Sequence, residues 1–226
     1  MIAASRRLGL GIAAAALALF ACAVPASAQS ERRGGTPGDF DFYVLALSWS
    51  PGFCASEGDS KGRDQCRTGA GLGFVVHGLW PQFDRGFPTE CQPANPTPSR
   101  LSLEAARGVF PDEGLARYEW RKHGTCSGRS PTDYFRDVRS ARDKIQVPPD
   151  LARPTSAMTT TAIDLERSFV AANPGLRADM MSVACKGSVL QEVRVCFTRD
   201  LRSFTSCPEV DRRGCRARDI TVPAVR

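Results

Sequence analysis

The chain has 226 residues, with 30 lysines and arginines against 24 acids and a formal net charge of +6 at pH 7. That length suits one domain with a real hydrophobic core, and the lack of internal repeats or low-complexity blocks excludes a repeat or fibrous architecture. The modest basic excess suits a polyanionic partner without demonstrating one.

Residues 1–28 read as a secretory signal. Arg6 and Arg7 form a charged start, residues 8–24 are apolar, and Ala26-Ser27-Ala28 is a small-residue cleavage site that leaves Gln29 first. A membrane anchor is the alternative, but the apolar run is short for a span and ends in the cleavage site. A lipoprotein cysteine at Cys22 is another, which bulky Phe20 suits poorly. Cleavage takes away Arg6 and Arg7 and lowers the charge from +6 to +4. Residues 29–226 are then expected to be a single domain, exported to the periplasm or the medium and free of the membrane.

After the polar, glycine-rich lead-in of residues 29–38, residues 40–49 are aromatic and aliphatic almost throughout and predict a buried central strand. Residues 54–73 read as a polar excursion that a local Cys54–Cys66 bridge can close. Residues 74–77 resume as a short buried strand that Gly78 breaks, which places His77 at a strand end. Residues 83–100 carry five prolines or glycines and predict a long loop.

Residues 101–109 predict a short helix, and residues 112–123 a second one with Asp112 and Glu113 in its first turn and Gly124 at its end. Residues 130–144 are helical in composition, with Pro148, Pro149 and Pro154 interrupting afterwards. Residues 162–172 predict another helix that stops at Asn173-Pro174-Gly175. Residues 190–198 alternate, with Val193, Val195 and Phe197 on one face of a strand, and Asp200 starts the turn after it. Strands and helices mixed without regular alternation indicate an α+β fold.

Eight cysteines remain after cleavage, an even number that implies a disulfide framework in an exported chain. Cys196 and Cys207 can staple a hairpin, with Cys185 and Cys215 paired outside them. The competing arrangement is a zinc site built from Cys91, His123 and Cys126, but the chain contains no Cys-x-x-Cys pair. No asparagine carries a glycosylation signal, since Asn95 precedes Pro96.

Two dense stretches carry the chemistry. Tyr118-Glu119-Trp120-Arg121-Lys122-His123-Gly124-Thr125-Cys126 concentrates a carboxylate, an ammonium and an imidazole. On a helix, Glu119, Lys122 and His123 share one edge at spacings of three and four. Phe74-Val75-Val76-His77-Gly78-Leu79-Trp80-Pro81-Gln82 holds the only other histidine. Lysine is also scarce, occurring at positions 61, 122, 144 and 186 alone. The plainer account is a surface ion pair between Glu119 and Lys122 with His77 as a core histidine. Scarcity favours the chemical one, because two imidazoles can take and donate a proton as a pair. Lys122 can then stabilise charge building on a phosphoryl group, while Trp80 and Phe87 offer faces for stacking bases. There is no Gly-x-Ser-x-Gly, no phosphate-cradling loop, no His-Glu-x-x-His and no acidic cluster for two metals. Acid–base catalysis on a polyanion remains.

The two histidine stretches resemble the two active-site segments of the ribonuclease T2 family, and residues 40–51 resemble its first strand. The resemblance implies a central antiparallel sheet flanked by helices and stapled by disulfides. It implies an endoribonuclease that needs no metal and no cofactor and cuts single-stranded RNA through a 2′,3′-cyclic phosphate. On the matching positions, His77, Glu119 and His123 are catalytic and Lys122 stabilises the transition state. His123 is the expected base toward the 2′-hydroxyl and His77 the expected acid toward the 5′-oxygen. Cys91 and Cys126 match a bridge joining the two motif regions, and the late cysteines fit nested bridges. A monomer is expected. Two positions depart from the pattern. Tyr118 stands where many members carry a phosphate-contacting histidine, and Gln82 stands where some carry a base-reading aspartate. An RNA-binding protein without turnover and a metal-dependent phosphodiesterase are the rival functions.

Overall fold

The computed structural model describes Met1, residues 31–94 and residues 96–226. The expected signal segment, Cys22 and Asn95 lie outside the described residues. In chain order the strands are β1 (Glu31–Arg33), β2 (Phe42–Trp49), β3 (Phe74–Gln82), β4 (Phe87–Thr89), β5 (Met158–Thr160), β6 (Met181–Lys186), β7 (Val189–Thr198) and β8 (Ile220–Val222). The helices are α1 (Ser50–Phe53), α2 (Arg100–Ala106), α3 (Glu113–Lys122), α4 (Pro131–Asp143), α5 (Pro149–Ala152), α6 (Ala162–Ala172) and α7 (Pro208–Asp211). Short 3-10 and π turns join several of them.

Six strands form the main sheet in the order β3-β2-β7-β8-β5, with β6 also pairing along β7. All pairings are antiparallel except one contact between Val189 of β7 and Thr221 of β8. The fold is α+β, as the irregular mixture of elements predicted. Alternation along the central strands decides what lies on each face. Tyr43, Leu45, Leu47 and Trp49 of β2 join Val193, Val195 and Phe197 of β7 in the principal core, together with Trp120 of α3 and Tyr134 and Phe135 of α4. Several of these large side chains are completely buried, each contributing about 1.5–3 kcal/mol by its removal from water. On the other face Phe42, Val44, Cys196, Cys207 and Val210 form a smaller cluster against which Trp80 packs.

The strand carrying His77 does not stop at Gly78. It runs to Gln82, and His77 lies within it. Ala46 pairs with Gly78 and Leu47 pairs with Val76, so His77 is the extra residue of a β-bulge. A bulge re-aims a side chain without ending the ladder. It also lets His77 and Trp80, three residues apart, line one cavity. On an unbroken strand an odd spacing puts two side chains on opposite faces.

Two other expectations change. The lead-in contains β1, which pairs in parallel with β4 inside the supposed long loop. The short helix is Arg100–Ala106, since Gly108 turns the chain with a positive φ of 74°. The sequence pattern also missed β5, β6 and β8, of which two are only three residues long and carry too few positions to show a period. Helices α3, α4 and α6 start where side chains cap them: Asp112, Ser130 and Thr161 each accept a hydrogen bond from the backbone N–H three residues on.

Four disulfides close the structure: Cys54–Cys66, Cys91–Cys126, Cys185–Cys215 and Cys196–Cys207. With Cys91 and Cys126 bonded to each other, their sulfurs are not thiolate ligands for zinc. That bridge fastens the loop bearing Phe87 to the end of α3. Beside it the Glu90 N–H donates to the Lys122 carbonyl at 2.8 Å, and Glu90 is held at a φ of 50°, a region few non-glycine residues adopt.

Candidate active site

A cavity of about 260 Å³ opens between β3, β7 and the end of α3. His77, Trp80, Phe87, Tyr118, Glu119, Lys122 and His123 all line it, so every residue expected at the site meets there. The helix stops one residue early. His123 caps α3 with non-helical angles (φ −121°, ψ −44°) while its N–H still donates to the Glu119 carbonyl at 2.9 Å. Close packing follows at Gly124, where a Cβ would stand 2.4 Å from the Trp120 ring and 3.0 Å from Tyr134.

Glu119 is only 1% exposed and sits at the centre. The Trp80 indole N–H donates to its Oε2 at 2.8 Å, and its Oε1 lies 3.6 Å from His77 Nε2. Gly78 makes room for it. A Cβ at position 78 would lie 2.0 Å from Glu119 Oε2 and 2.3 Å from Trp80 Nε1. Gly78→Ala is therefore expected to push Glu119 out of place. A destabilisation of about 1–3 kcal/mol, typical of overpacking, should accompany a fall in kcat. Denaturant unfolding and turnover measured on the same preparation check this, and unchanged values in both would count against the packing argument.

The Trp80 ring is not open on both sides. It lies edge-on to His77 at 5.2 Å between centroids, tilted by 33° to His123 at 5.3 Å, and beneath the Arg194 guanidinium at 5.4 Å. Trp80 thus packs against both imidazoles as well as holding Glu119. Phe87 lies 6.4 Å from His123. Tyr118 is 40% exposed at the rim, with the Lys122 ammonium 5.7 Å and the Arg121 guanidinium 5.4 Å from its ring centre. Gln82 also faces the cavity, buried, with its amide donating to the Pro81 carbonyl at 3.0 Å.

Glu192 and Arg194 went unrecognised in the sequence, as did Arg213, which also lines the cavity. Glu192 of β7 stands 2.6 Å from His77 Nδ1 through Oε1 and accepts from Arg194 Nε at 2.7 Å through Oε2. Their signal was present. Glu192 and Arg194 are two charges spaced by two on the face of β7 opposite Val193 and Val195, in a strand otherwise fit for burial.

The electrostatics set the two histidines apart. Burial disfavours a charged ring at His77, but the Glu192 hydrogen bond and the charges of Glu192 and Glu119 outweigh it and raise its pKa above the ordinary histidine value. His123 is held well below that value by burial first, then by the Lys122 and His77 charges. Its Nδ1 is buried without a hydrogen-bond partner. Burial pushes Glu119 up to about 7 against the opposing pull of the His77 charge. Glu192 is also fully enclosed, yet His77 and Arg194 hold its carboxyl down at about 2. The cavity therefore holds one imidazole whose charged form is favoured and one whose neutral form is favoured.

Comparison with known proteins gives a consistent picture. The sequence model described as the Ribonuclease T2 family matches residues 40–207. The chain is 46% identical over 114 residues to a protein named "Ribonuclease" from Aeromonas hydrophila, covering 50% of each chain. It is 34% identical over 120 residues to a "Probable ribonuclease" from Haemophilus influenzae, covering 48% of this chain and 44% of that one. The chain thus spans about half the length of these curated relatives. In three dimensions it is similar to an RNase-related protein from Calystegia sepium, with a TM-score of 0.62 at 22% identity over 83% of this chain and 98% of that one. At that identity the likeness concerns the fold.

Proposed function

Because the chain belongs to the ribonuclease T2 family, we propose that it is an endoribonuclease that cleaves single-stranded RNA by metal-free transesterification. His123 takes the proton from a ribose 2′-hydroxyl, and that oxygen attacks the adjacent phosphorus. The P–O5′ bond breaks as His77 protonates the departing 5′-oxygen. One strand then ends in a 2′,3′-cyclic phosphate and the other in a 5′-hydroxyl. Lys122 stabilises charge gathering on the phosphoryl oxygens. Glu119, neutral below about pH 7, can donate a hydrogen bond to one of them.

The observation that carries this reading is the opposite protonation preference of the two imidazoles facing one cavity. A base must start neutral and an acid must start charged, and the surroundings of His123 and His77 bias each ring in the direction its role needs. The four disulfides suit an oxidising compartment and support a location outside the cytoplasm. Among the described residues no helix is long and apolar enough to cross a membrane.

The test is digestion of RNA by the purified protein in excess chelator, with early products weighed by mass spectrometry. Undiminished cleavage and products ending in 2′,3′-cyclic phosphate are expected. Activity lost under chelator and restored by one divalent ion would instead favour a metal-dependent phosphodiesterase.

A further inference from the structure

Glu192 is a carboxylate 6% exposed in the middle of a sheet, with one oxygen on the Arg194 guanidinium and the other on His77 Nδ1. A buried charge is strongly unfavourable unless fully partnered. Its partners arrive from two directions. Arg194 follows two residues later on the same face of β7, while His77 comes from the bulge in β3, on the far side of β2. The central strand makes that meeting possible. On the shared face β2 carries Ala46, paired with both Gly78 and Arg194, and Ser48, paired with Glu192. These small side chains leave room for a glutamate and an imidazole to meet above them.

We propose that Glu192 is a positioning residue for His77, fixing the ring with Nδ1–H toward β7 and Nε2–H toward the cavity, so that Nε2 is the atom that protonates the leaving 5′-oxygen. This rests on the assignment of His77 as the acid. A carboxylate behind a histidine sets ring orientation and tautomer and supports the charged form without itself touching substrate. Arg194 completes the unit. It occupies the second carboxylate oxygen, so Glu192 is held by two contacts, and its guanidinium lies over Trp80.

The titratable and charged groups around His77 and its cavity are Glu192 and Arg194 from β7, Glu119, Lys122 and His123 from α3 and its end, and Arg213 just after α7. Only the two carboxylates favour the imidazolium, and Glu192 alone is within hydrogen-bond distance. On its other side His77 borders a second cavity whose walls carry Glu57, Lys61, Arg63, Asp112 and Lys186. These charges have mixed sign, and Glu57 is paired with Lys61.

The decisive experiment compares Glu192→Gln with His77→Ala on two substrates. RNA has an alkoxide leaving group that needs a proton. Uridine 3′-(4-nitrophenyl phosphate) releases a stable anion that needs none. Glu192→Gln is expected to slow RNA cleavage roughly 10–100-fold and to spare the nitrophenyl ester. Its alkaline limb in kcat/KM should move to lower pH. Added to His77→Ala, it should cost nothing further on RNA, as expected of a residue acting through His77. Equal losses on both substrates, additive losses with His77→Ala, or wild-type cleavage of RNA would each overturn the positioning role. If His77→Ala itself loses both substrates equally, the acid assignment fails, and the His77 arm reports that separately. Should Glu192→Gln fail to fold, NMR titration of the unaltered protein decides. The chain has two histidines, and His123→Ala assigns the other signal. A His77 ring titrating at or below the ordinary histidine value would overturn the proposal.

Discussion

Alanine at His77 or at His123 is expected to lower turnover on RNA by about 10²–10⁴-fold in each case, the usual worth of a positioned proton donor or acceptor. The two variants should lose different limbs of the pH profile. In the unaltered protein the base works only when neutral. Since His123 lies well below the ordinary histidine value, the acidic limb of kcat/KM is expected below that value. The acid works only when charged. Since His77 is raised, the alkaline limb is expected above it. The result is a plateau wider than two unperturbed histidines would leave. Glu119 titrates inside that plateau, near 7, and its ionisation adds a negative charge 3.6 Å from His77 Nε2 that helps the ring keep its proton. In His123→Ala the acidic limb should vanish while the alkaline one persists; His77→Ala should do the reverse. Initial rates over a pH series, with binding measured separately on RNA, check both. Near-normal turnover in either variant, or a profile that keeps both limbs, would end the acid–base assignment.

A single 2′-deoxy position in an RNA oligonucleotide is expected to abolish cleavage on its own 3′ side and nowhere else. The proposed nucleophile belongs to the substrate, so the protein supplies orientation, charge and proton movement but no attacking atom. Without the 2′-oxygen there is nothing for His123 to activate. DNA of the same sequence should still bind with a similar dependence on salt, because that dependence comes from the phosphates. It should remain uncut, since the 2′-hydroxyl is what separates RNA from DNA at such a site. Gel mapping of the cut positions, with masses of the ends, reads this directly. A cut at the deoxy position, or a first product bearing a 5′-phosphate, would sink the transesterification mechanism.

Both predictions depend on residues of very different legibility. Glu119, Lys122 and His123 were readable because helical spacing is local: positions three and four apart share an edge wherever the helix goes. Asp112 and Gly124 marked that helix to within a residue. His77 was conspicuous by scarcity, but its setting was misread. Gly78 looks like a strand breaker in sequence, whereas the structure uses it as empty space for the Glu119 carboxylate. That demand arises only when α3 docks on β3, and no window of sequence contains both.

The sequence by itself determined the α+β class, the long central strands, the principal helices and, with the family resemblance of the two histidine stretches, the seven side chains that line the cavity. The elements follow from short-range periodicity and helix-end chemistry; Glu119, Lys122 and the histidines also stood out by spacing and scarcity, whereas Tyr118 was marked by the resemblance alone. Tertiary structure alone decided the bulge that turns His77 toward the cavity and the packing of Trp80 against both imidazoles. It also decided the meeting of His77 with Glu192, 115 positions away. Most consequentially, it decided which histidine favours its charged form. Two identical side chains have the same intrinsic proton affinity. They differ here because one is half-buried against carboxylates and the other is fully buried beside an ammonium, and burial and neighbouring charge exist only once distant strands and helices have packed.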